Sequence, residues 1–174
     1  VLSRFYDLAE FYKLKNIIRI TADCPLVDPV MIDQMIDIYF KKNYDYLCNT
    51  MPPTFPDGLD IEIFSFNVLK KAYINAITLH DKEHVTPYIR NNQETKIGNY
   101  KNDIDYSYLR WTVDEKDDFL LIEKIVSLLN YKYNFKWQQI LELLKNNVNI
   151  FDLNLKIKRN EGANMPNGQK IWKR

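Results

Sequence analysis

The apolar positions of this chain switch between a helical and a strand period. Leu2, Phe5, Tyr6, Leu8, Ala9 and Tyr12 recur at helical spacing, so residues 1–14 predict an amphipathic helix. Lys15-Asn16 feeds Ile17-Ile18-Arg19-Ile20-Thr21, a β-branched run suited to a buried strand of a parallel sheet. The run ends in Ala22-Asp23-Cys24-Pro25. Asp28-Pro29 then reads as an N-cap and first helical position, and Val30, Ile32, Met35, Ile36 and Tyr39 carry a helix to Lys42. Tyr44 to Asn49 predicts a strand. Thr50 to Gly58, with its prolines and glycine, predicts a loop. Leu59 to Phe66 alternates, which predicts a strand with one polar face, and Asn67 is placed to cap a helix reaching about Thr78.

The same reading continues to the end. His80 to Asn92 contains a short helix with Pro87 in its first turn. Lys96 to Tyr100 and Tyr108 to Val113 predict strands joined by the polar turn 101–105. Glu115 to Asn130 and Trp137 to Asn146 predict helices, the first with Phe119, Leu120, Ile122, Ile125, Val126, Leu128 and Leu129 inward, the second with Ile140, Leu141, Leu143 and Leu144. Asn160 to Gly168 is the most loop-like stretch and predicts a linker. Alternating strands and helices predict a layered α/β domain with a mostly parallel sheet, to which the Leu59 strand and the Lys96–Val113 pair add antiparallel members.

Composition narrows the partners. A net charge of +1 points to neither nucleic acid nor a membrane surface, and no apolar run reaches the length of a membrane span. Cys24 and Cys48 form no CxxC, which argues against a disulfide scaffold or a cysteine zinc site and fits a reducing, cytoplasmic setting. The 174 residues suffice for one real core. The chain opens on Val1 already in helical pattern and closes on Arg174 without a cap, which predicts a piece cut at both ends. Its four glycines fit no G-x-G or P-loop spacing, so no phosphate-cradling loop is expected within it.

Candidate chemistry sits where strands run out. Asp23 follows a predicted strand and precedes a helix, the crevice where open α/β sheets bind ligands. A carboxylate there, in a proline-stiffened turn, is placed to hold a divalent cation, and Mg²⁺ takes one or two carboxylates plus phosphates and water. A turn aspartate that satisfies backbone N–H groups is the plainer alternative. Asp114 mirrors Asp23 at the end of Leu109–Val113, so the two could share one metal. Glu115, Asp117 and Asp118 fall in a first helical turn, where acids complement the helix dipole. Asp57, Asp60 and Glu62 emerge from a Pro/Gly turn and could accept hydroxyls of a sugar, or simply shape a hairpin. His84 and Arg90 could bind a carboxylate or phosphate, or lie on a packed helix start. Two further motifs carry less. His80-Asp81-Lys82-Glu83-His84 spells H-x-x-E-H, but Pro87 puts the helix start near His84 and leaves His80 outside it. Asp103-Ile104-Asp105 spells D-x-D inside a polar turn. Cys24 has no basic neighbour in sequence to activate it and reads as a small buried side chain.

Four blocks carry a resemblance. RITADCPLVDP at 19–29, FPDGLDIEIF at 55–64, EHVTPYIR at 83–90 and LRWTVDEKDDF at 109–119 resemble the motifs of the cytidylyltransferase-like proteins. These include the spore coat polysaccharide biosynthesis protein F group and the acylneuraminate and KDO cytidylyltransferases. In EHVTPYIR, Lys82 stands where the family has Arg. The resemblance spans about 1–162 and implies a three-layer, Rossmann-like sheet of the nucleotide-diphospho-sugar transferase type, truncated at its N-terminus. It implies metal-ligand and catalytic roles for Asp23 and Asp114, and substrate-side roles for Asp57, Asp60, Glu62, His84 and Arg90. The family's nucleotide loop precedes the matched region, so this stretch alone is expected to be inactive. Residues 1–159 are then a partial cytidylyltransferase domain and 160–174 a linker. GQKIWKR at 168–174 resembles the opening of glutamate-1-semialdehyde aminotransferase-like enzymes, which implies a fused domain of that kind.

The implied reaction is Mg²⁺-dependent transfer of CMP from CTP to an acidic or related sugar, with release of pyrophosphate, in surface polysaccharide synthesis. Two rivals stand beside it: a metal-dependent glycosyltransferase, and a non-catalytic module whose abundant Tyr and Trp serve an interface such as a homodimer.

Overall fold

The computed structural model describes residues 1–132 and 134–157. The expected linker from Asn160 and the aminotransferase-like segment after it lie outside the described residues. The chain divides into two compact units. The first takes Val1–Ile20, Val30–Pro53 and Asp60–Asn102; the second takes Thr21–Pro29, Thr54–Leu59 and Asp103 onward.

The first unit holds the sheet. Its strands are β1 (Asn16–Arg19), β2 (Tyr46–Cys48), β3 (Glu62–Ser65) and β4 (Ile97–Asn99), in the order β1-β3-β2-β4. β3 pairs antiparallel with both β1 and β2, and β2 pairs parallel with β4. The α/β class with a mixed sheet is the one expected. Its antiparallel pairings come from the 59–66 segment, as expected, which enters between β1 and β2. The Lys96–Tyr100 strand, expected as an antiparallel member, pairs parallel as β4, and β1, expected to be buried, leaves Ile18 exposed. In register, Arg19 faces Glu62, and Glu62 faces Cys48.

Helices α1 (Leu2–Phe11), α2 (Pro29–Lys42), α3 (Phe66–Asn75), α4 (Leu79–His84) and α5 (Pro87–Asn91) accompany the sheet. α2 has the expected limits, because Pro29 presets the first turn and Asn43 leaves it at φ 51°. α3 is capped by Ser65, whose hydroxyl accepts from the Val68 N–H; Asn67 lies inside the helix. The 80–92 segment forms two helices where one was expected. Thr78 caps α4 through the Asp81 N–H, and Pro87 opens α5. His80 therefore shares α4 with His84, against the expectation that the helix began at His84. A core of Leu2, Ala9, Ile17, Tyr46, Cys48, Phe64, Leu69, Ala72, Val85 and Ile89 unites this unit.

The second unit is built on α6 (Lys116–Leu128) and α7 (Trp137–Lys145), close to the expected helices, and on α8 (Val148–Phe151), which was not expected. α6 buries Asp118, Leu121, Ile122 and Ile125, whereas Phe119 and Leu128, expected inward, are exposed. Tyr108–Val113, expected as a strand, makes one bridge among the described residues, Asp57↔Arg110. Its backbone bonds are divided. Asp57 N–H donates to Leu109 O and Trp111 N–H to Asp57 O, while Val113 N–H donates to Asp23 O. Two short loops thus take the place of one neighbouring strand, and no ladder forms. Gly58 is required in this contact. It sits at φ 101°, and a Cβ there would lie 2.4 Å from the Trp111 carbonyl carbon. Phe55 and Tyr106 pack edge-on against Trp137. No helix among the described residues is long and apolar enough to cross a membrane.

Candidate functional site

The second unit gathers carboxylates around a cation. Arg110 sits in the apolar run Leu109–Val113 and is almost wholly buried, where a charge needs partners. It donates from Nε and Nη2 to the two oxygens of Asp118, both at 2.9 Å. Nη1 reaches Asp57 Oδ2 at 3.1 Å and Nη2 reaches Asp114 Oδ2 at 2.9 Å. Asp118 is fully buried. It caps α6 as expected, accepting the N–H groups of Asp114 and Glu115, and also takes Asn154 Nδ2. Burial works to raise the Asp118 carboxyl, but the bonds from Arg110, Asn154 and the two backbone donors outweigh it and hold it below the usual range.

Asp23 joins this group through its backbone. Its carbonyl accepts from Val113 N–H at 2.9 Å and from the Thr112 hydroxyl at 3.1 Å, so its residue is docked on the two positions that precede Asp114. Asp23 is half-buried, and the Asp114 side chain is 34% exposed. Asp57, Asp114 and Asp118 set three negative charges against the one of Arg110, while Asp23 reaches the group by its backbone and its carboxylate accepts from the Cys24 thiol at 3.6 Å. Such a surplus invites a cation. Among the described residues no group of three or more metal-ligating side chains assembles into a closed site. A pair of carboxylates such as Asp23 and Asp114 would leave most of a coordination shell to phosphates and water. That fits Mg²⁺ and does not fit a closed structural zinc site. Asp28, expected as a cap of α2, accepts the Trp137 N–H at the start of α7.

The first unit holds the opposite arrangement. Glu62 of β3 is buried and surrounded by donors. Oε2 takes Arg19 Nη1 from the facing position on β1. Oε1 takes Tyr46 OH at 2.5 Å, Thr86 OH at 2.7 Å and Arg90 Nη2 at 2.5 Å. Arg90 Nε also donates to Tyr46 OH at 2.8 Å. Burial would raise the Glu62 carboxyl, yet Arg90, Arg19 and the two hydroxyls outweigh it and hold it low. The Tyr46 phenol is pushed far up by burial and by Glu62, so it remains a donor.

The segment that delivers Thr86 and Arg90 is strained. Val85 is buried with φ 72° and ψ −51°, and the Thr86 N–H bonds back to His84 O at 2.8 Å, a γ-turn. A β-branched residue in that region costs roughly 1–3 kcal/mol, so the packing around it must hold it there. His84 lies just before this turn and is exposed. Partial burial, His80, Arg19 and Arg90 push its imidazole below the usual value, against a smaller pull from Glu83. The His80 and His84 rings are 4.5 Å apart on α4, but no third ligand joins them among the described residues.

The predicted residues therefore separate into two groups. Asp23, Asp57 and Asp114 belong to the Arg110 cluster, and Glu62, His84 and Arg90 to the Glu62 cluster. Asp60, half-buried, leads into β3. Sequence reasoning passed over Arg19, Arg110, Tyr46, Thr86 and Asn154. A signal for the arginines was present: each interrupts an apolar β-like run, and a buried charge implies an opposite charge elsewhere.

The chain has relatives. A family model described as Cytidylyltransferase matches residues 1–157. The uncharacterized protein MJ1063 of Methanocaldococcus jannaschii is 33% identical over 165 residues, 91% of this chain and 65% of that protein. The spore coat polysaccharide biosynthesis protein SpsF of Bacillus subtilis is 30% identical over 153 residues, 84% of this chain and 62% of that protein. A solved cytidylyltransferase from Leptospira borgpetersenii serovar Hardjo-bovis matches with a TM-score of 0.80 at 31% identity, covering 86% of this chain and 64% of that one. The chain spans a little under two thirds of the length of each.

Proposed function

The chain belongs to the cytidylyltransferase family, and we propose that it supplies the metal-holding and sugar-binding residues of an enzyme that transfers CMP from CTP to an acidic or related sugar, for surface polysaccharide synthesis. Residues 1–159 are then part of the transferase domain, with 160–174 as a linker toward a further, aminotransferase-like domain. The observation that carries the reading is the carboxylate surplus around Arg110, with Asp23 docked by its carbonyl onto residues 112 and 113.

In the reaction a sugar oxygen attacks the α-phosphorus in line, the bond to the bridging oxygen breaks, and pyrophosphate leaves. Such chemistry depends on positioning and on charge neutralisation. Asp23 and Asp114 are the residues that would hold Mg²⁺. Bound there, the ion would neutralise phosphate charge and stabilise the charge developing on the departing pyrophosphate. Arg110 fixes the Asp114 carboxylate while its other donors engage Asp57 and Asp118, so the ligand is oriented before substrate arrives. His84 and Arg90 are assigned to the sugar side.

The test is pyrophosphate release from CTP by the full-length protein across candidate sugars, with and without Mg²⁺. Asp23→Asn and Asp114→Asn should each reduce release to background while the fold, read by circular dichroism, persists. Undiminished turnover in either variant would remove its ligand role. Slow hydrolysis of a nucleotide sugar with no consumption of CTP would instead favour a glycosyltransferase.

A further inference from the structure

The Glu62 cluster carries more positive charge than it needs. Two guanidiniums converge on one carboxylate, leaving a net charge of +1 in a partly enclosed place. The exposures are graded: the Glu62 side chain is 4% exposed, Arg19 18% and Arg90 31%. The anion is therefore sealed in, while both cations reach the surface. Glu62 Oε1 already accepts three donors and Oε2 a fourth. Each carboxylate oxygen offers about two lone-pair positions, so Oε1 is already crowded, and Oε2, paired with Arg19, is closed to a substrate hydroxyl because the side chain is sealed from the surface. The arginines are in the reverse condition. Among the described residues, no acceptor engages Arg19 Nε, Arg19 Nη2 or Arg90 Nη1, although each guanidinium carries five N–H donors.

We infer that Arg19 and Arg90 form a two-guanidinium clamp for an oxyanion of a substrate, and that Glu62 is a positioning residue that holds the two arginines without touching the ligand. The role of Arg19 and this division of labour lie beyond the function proposed above; that reading is needed only to say that the anion belongs to a substrate of the transferase. The ligand chemistry is a carboxylate or phosphate, which planar guanidiniums grip through paired N–H bonds. Each arginine is fixed from its own direction. Arg19 is set by the β1–β3 register, where it faces Glu62. Arg90 is set by α5, by its second bond to Tyr46 OH, and by the strained turn at Val85 that brings Thr86 onto the same Glu62 oxygen. A clamp assembled from three separate segments, with backbone strain held at one of them, is preorganised for something outside the protein. His84 sits in the field of both arginines. Burial and those charges favour its neutral form, so it adds a hydrogen-bonding group without adding repulsion between cations.

The test uses the full-length protein at pH 7.5. Inorganic phosphate, D-glucuronate, glucose 1-phosphate and metal-free CTP are titrated in while the arginine Nε–Hε resonances are followed by NMR. At least one of these anions should shift the Arg19 and Arg90 resonances together. Arg19→Gln should weaken binding of that anion roughly ten- to a hundredfold, the loss expected for one charged hydrogen-bonding group. Arg19→Lys, which keeps the ion pair with Glu62, should recover only part of it, because an ammonium cannot bind in a bidentate manner. Glu62→Gln provides a test of sign. Removing a negative charge should tighten anion binding if simple attraction governs, and should weaken it if Glu62 positions the arginines; weakening supports the inference, and tightening overturns the positioning role. In turnover, Arg19→Gln should raise the KM of the anion-bearing substrate with kcat within a few fold. A rise confined to the sugar identifies a sugar carboxylate or phosphate, and one confined to CTP identifies a nucleotide phosphate. Unchanged affinity for all four anions in Arg19→Gln overturns the clamp. If the protein releases no pyrophosphate with any sugar, the transferase reading fails, and the titrations still decide the clamp.

Discussion

The two units bury charge in opposite senses. One encloses a carboxylate, Glu62, with two arginines, a phenol and a threonine hydroxyl. The other encloses a guanidinium, Arg110, with three aspartates. Both meet the same requirement, that a buried ion be paired and its hydrogen-bonding positions filled. They differ in which sign is left over. Around Glu62 the surplus is positive and carried by the outer members; around Arg110 it is negative and carried outward by Asp114, which is exposed. A central ion held by counter-ions of excess charge is structural at its core and attracts a ligand at its edge. On the readings proposed above, the sign of that excess matches the ligand, an anion in one unit and a cation in the other.

The contrast can be broken by removing each central ion. Arg110→Met should be the most damaging change, about 3–5 kcal/mol in urea unfolding, because it leaves fully buried Asp118 without its cation. Gly58→Ala should follow at about 2–4 kcal/mol, since the positive φ and the contact with Trp111 hold the loop that brings Asp57 to Arg110. Its cost should fall on the second unit, seen as faster amide exchange in 109–113. Glu62→Gln should cost less, about 1–3 kcal/mol, because the amide still accepts from Tyr46 and Thr86 and the arginines can turn to water. A larger loss for Glu62→Gln than for Arg110→Met would show that burial of the partner left unpaired does not set the order. Ser65→Ala, which removes the α3 cap next to Glu62's strand, should cost about 1 kcal/mol.

Acid sharpens the comparison. Glu62 and Asp118 are both held below their ordinary values of 4.5 and 3.8. A depressed folded-state pKa adds stability that is present above the unfolded value and is lost as pH falls through the folded one. Thermal midpoints should therefore drop as pH falls below about 4.5 and continue dropping below 3.8. Glu62→Gln should flatten the first part of that fall and leave the Asp118 part intact.

Much of this fold was legible one segment at a time. α2 and α7 follow from apolar spacing and their starting residues, because a helix makes its hydrogen bonds within itself and its sequence carries most of the instruction. Strands were harder. β2, β3 and β4 are only three or four residues long, and β3 is buried on both faces, so alternation in Leu59–Phe66 suggested a polar face that does not exist. Glu62 is inside because arginines meet it there. The 108–113 segment has a strand's composition and lacks a strand's neighbour. His80 and His84 share a helix because Thr78 caps it upstream of both, and it ends before Pro87 because Val85 takes a strained conformation that no propensity would assign to valine.

By itself, then, the order of residues determined the helices, the α/β class, the absence of a glycine-rich phosphate loop in this stretch, and the motifs that mark Asp23 and Asp114. Those properties are local, or depend only on which residue types stand near one another in the chain. Only the tertiary structure decided that Glu62 and Arg110 are the centres of two inverted charge clusters, and that Arg19, Arg90 and Asp114 form their outer members. The partners come from positions 43 and 28 residues apart around Glu62, and 53 apart between Asp57 and Arg110. Whether a charge is a solvated surface group or a buried centre depends on which distant segment packs over it, and that is settled by the register of strands and the closure of loops.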